Sequence, residues 1–364
     1  MRVGIISMQR IYNYGSFLQA YALKRMMENR GHDVSFADIN AKKDYAPAKQ
    51  GRLQRTLERM KKFDRYIFRR VSDSKKNKQL IGLLKREQSH YLGLNDTHMT
   101  EAGCDAVIIG SDEIFNCSSH SLWGINGQRF GNIPGVGTII SYAASCGYTD
   151  VSYLASEDRQ EVIDGLKKLN YISVRDQNTY NFVKAVSGRT AEINLDPVLI
   201  YDFHKEKDQI ENVSVPKFPY MVVYAYHNRI ESIEEINAIK RYAQSRGLRT
   251  IAIGGSLPWC DEFVVLTPFQ VLAYFKHASC IVTDTFHGTV FSVKFNKPFA
   301  VIVRESNANK LDDLIQRLGV EPHKVSDMQK LDAALDMVDD YESTNAIIAT
   351  EIEHACAYLT EAGF

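Results

Sequence analysis

The turn at residues 284–289 combines side chains that could bind an anion and move a proton. It reads Asp-Thr-Phe-His-Gly-Thr and follows an apolar run, Cys280–Thr283, that predicts a buried strand. A helix is predicted to start directly after it. Helix starts offer unpaired N–H groups and a positive dipole end, and open α/β sheets bind ligands beyond the carboxyl ends of their strands. The turn therefore predicts a site for a phosphorylated or carboxylated small molecule.

Each residue of this turn has a candidate role. His287 can exchange a proton near neutral pH and is the candidate acid or base. The candidate substrate-binding residues are Asp284, Thr285, Phe286, Gly288 and Thr289. A helix cap is an equally good explanation, with Asp284 or Thr285 as the cap and His287 exposed in the first turn.

Two other strand ends could contribute to the same site. Arg175 follows the short apolar stretch 172–174, and a guanidinium can bind a carboxylate or phosphate through two hydrogen bonds. A salt bridge between Arg175 and Asp176, or another helix acid, is the simpler explanation. Asp112 lies in the loop 110–113 after a predicted strand, where it could act as a base, orient a hydroxyl group or cap a helix.

Asn13 and Tyr14 join the first predicted strand to the first predicted helix, where a Rossmann fold holds a phosphate loop. The single glycine there and the absence of a GxGxxG pattern argue against NAD or FAD. Amide and aromatic side chains suit contact with a sugar, and a capping turn is the alternative.

The six cysteines include no CxxC pair. We therefore expect neither a zinc site nor a disulfide framework, and we expect the protein to lie in a reduced cytoplasmic compartment.

The elements that must position these residues alternate between strand and helix along 364 residues. Such alternation predicts parallel sheets, and we expect two Rossmann-like α/β domains facing a cleft. We predict a first domain over 1–204, a second over 218–341 and a final helix over 342–364 that packs back on the first domain. No apolar run approaches the length of a membrane span.

A basic segment interrupts the first domain at about 42–98. Residues 42–90 hold sixteen Lys and Arg against five Asp and Glu, a net charge of +11, although the whole chain is neutral. An apolar stripe of Leu53, Leu57, Met60, Ile67 and Val71 keeps helical spacing within it, so we expect an amphipathic helical insertion. The charge indicates either an anionic partner or a solvated helical face.

Several segments, taken together and in order, resemble the polysaccharide pyruvyl transferase family. The matching segments are Asn13-Tyr14-Gly15, Gly110-Ser111-Asp112, Ser141 to Ser145, Ile172 to Asp176, Leu195-Asp196-Pro197, Thr283 to Thr289 and Phe295 to Phe299. The resemblance covers residues 1 to about 318, without the basic insertion. It implies a fold similar to the two-domain glycosyltransferase B type, with residues 1–204 on the acceptor side and residues 218–341 on the donor phosphate side.

The resemblance also implies an activity, the transfer of pyruvate from phosphoenolpyruvate to a sugar, with formation of a cyclic ketal. It associates Arg175 and residues 285–287 with the donor, although many relatives have serine or arginine where this chain has Thr285. On this basis His287 is the acid or base, Arg175 clamps the donor and Asp112 orients the acceptor. Phosphoenolpyruvate is a co-substrate, and we expect no cofactor and no metal.

The resemblance suggests partners as well. Acceptors in such pathways are often sugars on a polyprenyl diphosphate, so segment 42–90 is a candidate for contact with anionic lipid at the inner face of the plasma membrane; a helical cover over the cleft is the alternative. No nucleic acid partner is expected. The competing functions are a nucleotide-sugar glycosyltransferase of the same fold and a non-catalytic sugar-binding homologue.

Overall fold

A computed structural model describes residues 1–40, 67–118, 123–226, 229–337 and 341–364, with side chains of the second range from residue 75 onward. Within these ranges the predicted fold class is confirmed, because two six-stranded parallel sheets follow one another along the chain. Each sheet has helices packed around it. We call the parts that carry the two sheets the first and second domains.

The sheet of the first domain has the strand order β2-β1-β3-β4-β5-β6, and all its strands are parallel. Its strands are β1 (Arg2–Ile6), β2 (Asp33–Phe36), β3 (Ala106–Asp112), β4 (Thr138–Ala144), β5 (Ser173–Val174) and β6 (Glu192–Ile193). The order reverses between β1 and β3. Strand β3 runs through Asp112, which pairs with Ala144, so Asp112 ends a strand and does not lie in a loop.

The sheet of the second domain has the strand order β12-β11-β10-β7-β8-β9 and is also parallel. Its strands are β7 (Tyr220–Tyr224), β8 (Arg249–Ile253), β9 (Glu262–Phe263), β10 (Cys280–Thr283), β11 (Phe299–Ile302) and β12 (Lys324–Val325). The order reverses between β7 and β10, so the predicted site turn begins at this reversal. Open α/β sheets bind ligands at such points.

The helices connect and cover these strands. They are α1 (Tyr14–Asn29), α2 (Ile67–Leu92), α3 (Ser156–Lys168), α4 (Gln177–Ser187), α5 (Pro197–Ile200), α6 (Lys207–Glu211), α7 (Ile233–Ser245), α8 (Pro268–His277), α9 (Phe286–Lys294), α10 (Ala308–Leu318), α11 (Leu331–Leu335) and α12 (Tyr341–Glu361). None of the helices in the described ranges is long and apolar enough to span a membrane.

Helix α1 lies between the two domains and is buried on nearly every side. Its Phe17 and Tyr21 contact Phe269 of α8 edge to face, with ring centroids 6.4 and 5.2 Å apart. The Tyr14 hydroxyl donates to the Leu266 carbonyl and accepts from the Leu266 N–H. A continuous apolar cluster therefore joins the domains, and burial of such surface is the main force that holds them together.

Helix α2 supplies the described part of the basic insertion; residues 41–66, which include Leu53, Leu57 and Met60 of the predicted apolar stripe, lie outside the described ranges. The buried residues of α2 recur every four positions, at Leu80, Leu84, Gln88 and Leu92, as expected of an amphipathic helix. Lys76 donates to the Phe263 carbonyl of the second domain.

Helix α12 contacts the first sheet although it ends the chain. The Tyr358 hydroxyl donates to the Ser141 carbonyl of β4 at 2.7 Å. Arg317 of α10 pairs with Glu351 of α12, and Arg30 at the end of α1 donates to the carbonyl of Phe364. The C-terminal helix thus contacts both domains.

Candidate functional site

The carboxyl ends of β5 and β10 bring Arg175 and His287 to the same carboxylate, Asp196. Arg175 Nη1 donates to Asp196 Oδ2 at 2.9 Å, and His287 Nε2 lies 3.5 Å from the same oxygen. Burial of Asp196 opposes its ionisation, but the charges of His287 and Arg175 outweigh this and lower the pKa of the carboxyl to about 2. Asp196 therefore stays ionised at neutral pH and lies between the guanidinium of Arg175 and the imidazole of His287.

Two guanidinium nitrogens of Arg175 are available to bind a ligand. Its side chain is 2% exposed, yet Nε and Nη2 have no hydrogen-bond partner among the described residues, and Nη2 lies 3.6 Å from Asp112 Oδ1. The guanidinium also stacks on the ring of Phe286 at 4.1 Å, across the domain boundary. Buried polar groups are normally paired, so these nitrogens indicate a place for an anion.

His287 is buried, so the expectation of an exposed histidine in a simple cap is wrong. Only 5% of the residue is exposed, and Nε2 has no hydrogen-bond partner within the described ranges. The ring packs against Gly15 in the first turn of α1, where a Cβ atom would lie 2.2 Å from His287 Nδ1. Glycine at position 15 therefore lets the imidazole lie between the domains.

The rest of the 284–289 turn shapes the start of α9. Thr285 is the N-cap, and its Oγ1 accepts from Gly288 N at 2.9 Å. The Thr289 hydroxyl donates to the Thr285 carbonyl, and a Cβ on Gly288 would lie 2.1 Å from Thr283 Oγ1. Thr285 is thus a helix cap. Capping does not explain Phe286, which stacks on Arg175, or His287, which lies beside Asp196.

Asp284 directly follows β10 and lies within a cluster of charged residues that the sequence did not indicate. Its Oδ2 accepts from Arg304 Nε at 3.3 Å and lies 3.8 Å from Arg229 Nη1. Arg304 also pairs with Glu235. Burial raises the pKa of Asp284, although Arg229 and Arg304 oppose the effect. Asp284 Oδ1 and Arg304 Nη2 are buried without hydrogen-bond partners in the described part of the chain.

Asp112 and Glu113 face this cluster from the first domain. Asp112 Oδ2 accepts from Ser16 Oγ at 2.7 Å, and Glu113 forms an ion pair with Lys310 of α10 across the domain boundary. Burial opposes ionisation of Glu113, but Lys310 and then Arg175 lower its pKa to about 2. The site therefore carries fixed charges of both signs.

The side chains of Asn13 and Tyr14 form hydrogen bonds within the protein. Asn13 Oδ1 accepts from Ser16 N at 2.7 Å and caps α1, which is the capping alternative of the sequence analysis. Tyr14 is buried, and both roles of its hydroxyl are used by Leu266. The structure thus brings Arg175, Asp112 and His287 together and leaves Tyr14 in the interface.

The site residues that the sequence analysis did not assign differ in how visible they are in the sequence. Asp196 belongs to an Asp-Pro pair after a strand, so its motif was visible but its role as the shared partner of Arg175 and His287 was not. Arg229 and Arg304 follow β7 and β11 without any local motif. Tyr226 follows β7, and burial together with the charges of Asp112, Glu113 and Asp284 raises its pKa.

Among the described residues, no cluster of three or more His, Cys, Asp or Glu side chains has the geometry to hold a metal ion. The unpaired groups of the site are instead mostly nitrogen donors from Arg175, His287 and Arg304. Such donors match oxyanions such as carboxylate and phosphate.

The fold and this site define a protein of two Rossmann-like α/β domains. A putative UDP-N-acetylglucosamine 2-epimerase from Listeria monocytogenes superposes with a TM-score of 0.50 at 12% identity, over 96% of this chain and 90% of that chain. UDP-GlcNAc 2-epimerase from Methanocaldococcus jannaschii, in complex with UDP-GlcNAc and UDP, gives 0.48 at 12% identity over 96% and 99% of the two chains. A Streptomyces sp. SF2575 glycosyltransferase complexed with thymidine diphosphate gives 0.47 at 11% identity over 99% of both. At such identities the likeness concerns the fold alone.

The sequence gives a more specific assignment. The model of the polysaccharide pyruvyl transferase family matches residues 13–306, a range that includes Arg175, Asp196 and the 284–289 turn. No curated protein sequence matches the chain. The chain belongs to the polysaccharide pyruvyl transferase family.

Proposed function

We propose that this protein transfers pyruvate from phosphoenolpyruvate to a sugar of a cell-surface polysaccharide precursor and forms a cyclic ketal. The observation that carries the proposal is Arg175, a buried guanidinium with two unpartnered nitrogens beside the unpartnered Nε2 of His287. Phosphoenolpyruvate carries a carboxylate and a phosphate, and its conversion to a ketal requires a proton donor. A buried cation next to a proton-exchanging group meets both requirements.

The donor anion is assigned to the nitrogen donors of the site. Arg175 binds one anionic group in the two-pronged manner of a guanidinium. Arg304, through its unpartnered Nη2, is the candidate for the other group, since Thr285 provides no charge at the start of α9. The positive end of the α9 dipole adds to both.

His287 then moves the protons of the reaction. A proton is added to the methylene carbon of phosphoenolpyruvate, a sugar hydroxyl attacks C2 and loses its own proton, and the C2–O bond to phosphate breaks. A second hydroxyl closes the ketal at C2 and releases a further proton. Asp196 lies 3.5 Å from His287 Nε2 and orients the imidazole, and Asp112 is the candidate for orienting the attacking hydroxyl.

Access to this site requires movement of the domains. Arg175 and His287 are 4% and 5% exposed, and the Glu113 to Lys310 ion pair spans the boundary beside them. We therefore expect the donor to bind when the domains separate and to be enclosed when they close. Closure of this kind excludes water from reactive intermediates.

A phosphate-release assay tests the proposal. The protein is incubated with phosphoenolpyruvate and acceptors based on galactose, mannose or glucosamine, and phosphate is measured with time. We expect release that depends on an acceptor and falls at least about a hundredfold in His287→Ala. As a matched control, His354→Ala removes an exposed histidine at the Glu192 ion pair and keeps full activity.

Calorimetry separates this function from glycosyl transfer. We expect binding of phosphoenolpyruvate and no binding of UDP- or GDP-sugars. Heat with a nucleotide sugar and none with phosphoenolpyruvate would replace the proposal with a nucleotide-sugar glycosyltransferase. If neither binds and His287→Ala leaves the cellular glycan unchanged, a non-catalytic sugar-binding protein is the better description.

The exposed basic face of α2 supports a further part of the proposal, peripheral contact with anionic lipid on the cytoplasmic side of the plasma membrane. Lys75, Lys78, Lys85 and Arg86 are exposed in its described part. Each such residue near an anionic surface contributes about 1 kcal/mol of attraction. Co-sedimentation with liposomes should increase with the fraction of anionic lipid, and no such dependence would remove membrane contact from the proposal.

A further inference from the structure

Three helices begin at the imidazole of His287. His287 itself lies in the first turn of α9. Asp196, the N-cap of α5, lies 3.5 Å from its Nε2, and Gly15 in the first turn of α1 packs against its ring. Helices α1 and α5 follow strands of the first sheet, whereas α9 follows β10 of the second. The place of His287 therefore depends on how these three helices are held side by side.

The other end of α9 is attached to α5 by a lysine that the proposed chemistry does not use. Lys294 is the last residue of α9, and its Nζ donates to the carbonyl of Tyr201, the C-cap of α5, at 2.7 Å. The same Nζ lies 5.1 Å from the ring centroid of Phe203. Burial lowers the pKa of Lys294 to about 8, and the charge of Asp202 opposes this effect. Helix α9 thus contacts α5 at both of its ends.

Tyr201 is attached in turn to α1 through a buried carboxylate. The hydroxyl of Tyr201 donates to Glu206 Oε2 at 2.8 Å, and the hydroxyl of Tyr21 in α1 donates to Glu206 Oε1 at 2.6 Å. Glu206 is 2% exposed, and a buried carboxylate is costly to separate from its donors. We call Lys294, Tyr201, Glu206 and Tyr21 the Lys294 cluster.

The Lys294 cluster lies at the ends of the three helices opposite to His287. At 1.5 Å per residue, the span from His287 to Lys294 is about 10 Å, that from Asp196 to Tyr201 about 8 Å and that from Gly15 to Tyr21 about 9 Å. Helices α1 and α9 both contact α5 along this length. The similar spans mean that one set of contacts fixes the helices at the reacting groups and the other fixes them a constant distance away.

The position of α9 against the first domain needs this second set of contacts. Within the second domain, Phe291 of α9 packs against Tyr224 and Phe275 with ring centroids 5.8 and 5.3 Å apart, so α9 moves with its own closely packed domain. A contact at one end of a helix still permits rotation about that end. A rotation of about 6° over a length of about 10 Å moves the first turn by about 1 Å.

We propose that Lys294 is a positioning residue of the reaction, which holds α9 so that His287 returns to the same place beside Asp196 whenever the domains close. This inference rests on the proposed function and adds that a group about 10 Å from the imidazole controls the rate. Lys294 does not touch the substrate. Its loss lowers kcat and leaves phosphoenolpyruvate bound by Arg175 of the first domain.

The kinetic test compares two lysines of the second domain. Lys294→Met keeps the apolar stem and removes the donor, so kcat for phosphate release should fall at least about tenfold, since a misplacement of about 1 Å costs roughly a hundredfold. Affinity for phosphoenolpyruvate, measured by calorimetry, should stay within about threefold of the parent. Lys240→Met, at a partly exposed lysine of α7, is the control and should keep full kcat. An unchanged kcat in Lys294→Met, an equal loss in Lys240→Met, or a loss confined to phosphoenolpyruvate affinity would overturn the proposal.

A second variant changes the Lys294 cluster from the side of α1. Tyr21→Phe removes only the hydroxyl that donates to Glu206 and keeps the ring, and kcat should fall at least about threefold. Because both substitutions act on one cluster, the double variant should lose less than the product of the two single losses. Losses that simply multiply would overturn the proposal.

Nuclear magnetic resonance of histidines labelled with ¹³C at Cε1 reports the surroundings of His287 without any reaction. The signal of His287 is the one missing in His287→Ala. We expect Lys294→Met and Tyr21→Phe to shift or broaden this signal and Lys240→Met to leave it in place; an unchanged signal in both cluster variants would overturn the proposal. Tyr21→Phe gives the answer if Lys294→Met does not fold. A shifted signal in a protein whose parent releases no phosphate supports the positioning of His287 by Lys294 and counts against the proposed function alone.

Discussion

Gly15→Ala is the most direct perturbation of the site that avoids the proposed reacting groups. The new Cβ would lie 2.2 Å from Nδ1, 2.3 Å from Cγ and 2.9 Å from Cβ of His287. Ordinary contacts of such atoms begin near 3.4 Å, so one of the two residues must move by about 1 Å in a closely packed interface. The backbone itself accepts alanine, because Gly15 lies inside α1.

The displacement sets the size of the expected effects. A misplacement of about 1 Å at a catalytic group lowers a rate by roughly a hundredfold. Overpacking of a buried contact costs about 1 to 3 kcal/mol of the free energy of unfolding. We therefore expect kcat for phosphate release to fall about a hundredfold and the urea-unfolding free energy to fall by about 1 to 3 kcal/mol, with a helix former in place of glycine offsetting part of the loss.

Two comparisons isolate the contact with His287. Gly82→Ala places the same methyl group on α2, where no atom lies within 4 Å, and should raise stability by up to about 1 kcal/mol without changing kcat. In a His287→Ala background the two ring contacts are absent and only the 2.9 Å contact with Cβ of residue 287 remains, so Gly15→Ala should cost less stability there. Full activity of Gly15→Ala, or an equal stability loss in both backgrounds, would refute the packing of His287 on Gly15.

Three further predictions follow from the same contacts. Arg175→Lys cannot supply two planar nitrogens or stack on Phe286, so calorimetry should show phosphoenolpyruvate binding weakened at least about tenfold; unchanged affinity would contradict the clamp. The pKa of Asp196 is lowered to about 2, so its carboxyl stabilises the fold above its usual pKa of about 4, and that contribution is lost as the pH falls through 2. Between pH ~5 and ~2, the free energy of unfolding measured with urea should therefore fall by about 2 kcal/mol less in Asp196→Asn than in the parent. Glu113 titrates in both proteins, so parallel pH profiles of the two would refute the assignment of this loss to Asp196. Gly288→Ala places a Cβ 2.1 Å from Thr283 Oγ1 and should cost about 1 to 3 kcal/mol of unfolding free energy; an unchanged denaturation midpoint would show that the turn can relax.

The sequence predicted the elements well because their signals are local. Strand β10 has the predicted bounds, Cys280–Thr283, since a continuous apolar run marks it. The alternation of strands and helices predicted parallel sheets, and parallel strands all end at one edge of a sheet. This is why Arg175 and Asp112 could be predicted to face one cleft from their strand ends alone.

The partners of the candidate residues depended on tertiary structure. The sequence offered a salt bridge from Arg175 to Asp176 or another helix acid; the partner is Asp196, which caps α5, and Asp176 caps α4. The burial of His287 depends on Gly15, about 270 positions earlier in the chain. No local pattern contains such a contact, because it arises only when the two domains close on each other.

By itself, then, the sequence determined the alternating fold, the strand ends that carry polar residues and the family resemblance through ordered motifs. Only the tertiary structure decided which of those polar residues share a carboxylate, which nitrogens have no hydrogen-bond partner and which side chains pack between the two domains. Periodicity and capping act over a few residues, whereas pairing of buried charges is set by the position of one domain against the other. Asp196 shows the difference: its Asp-Pro motif was visible in the sequence, and its contact with both Arg175 and His287 was not.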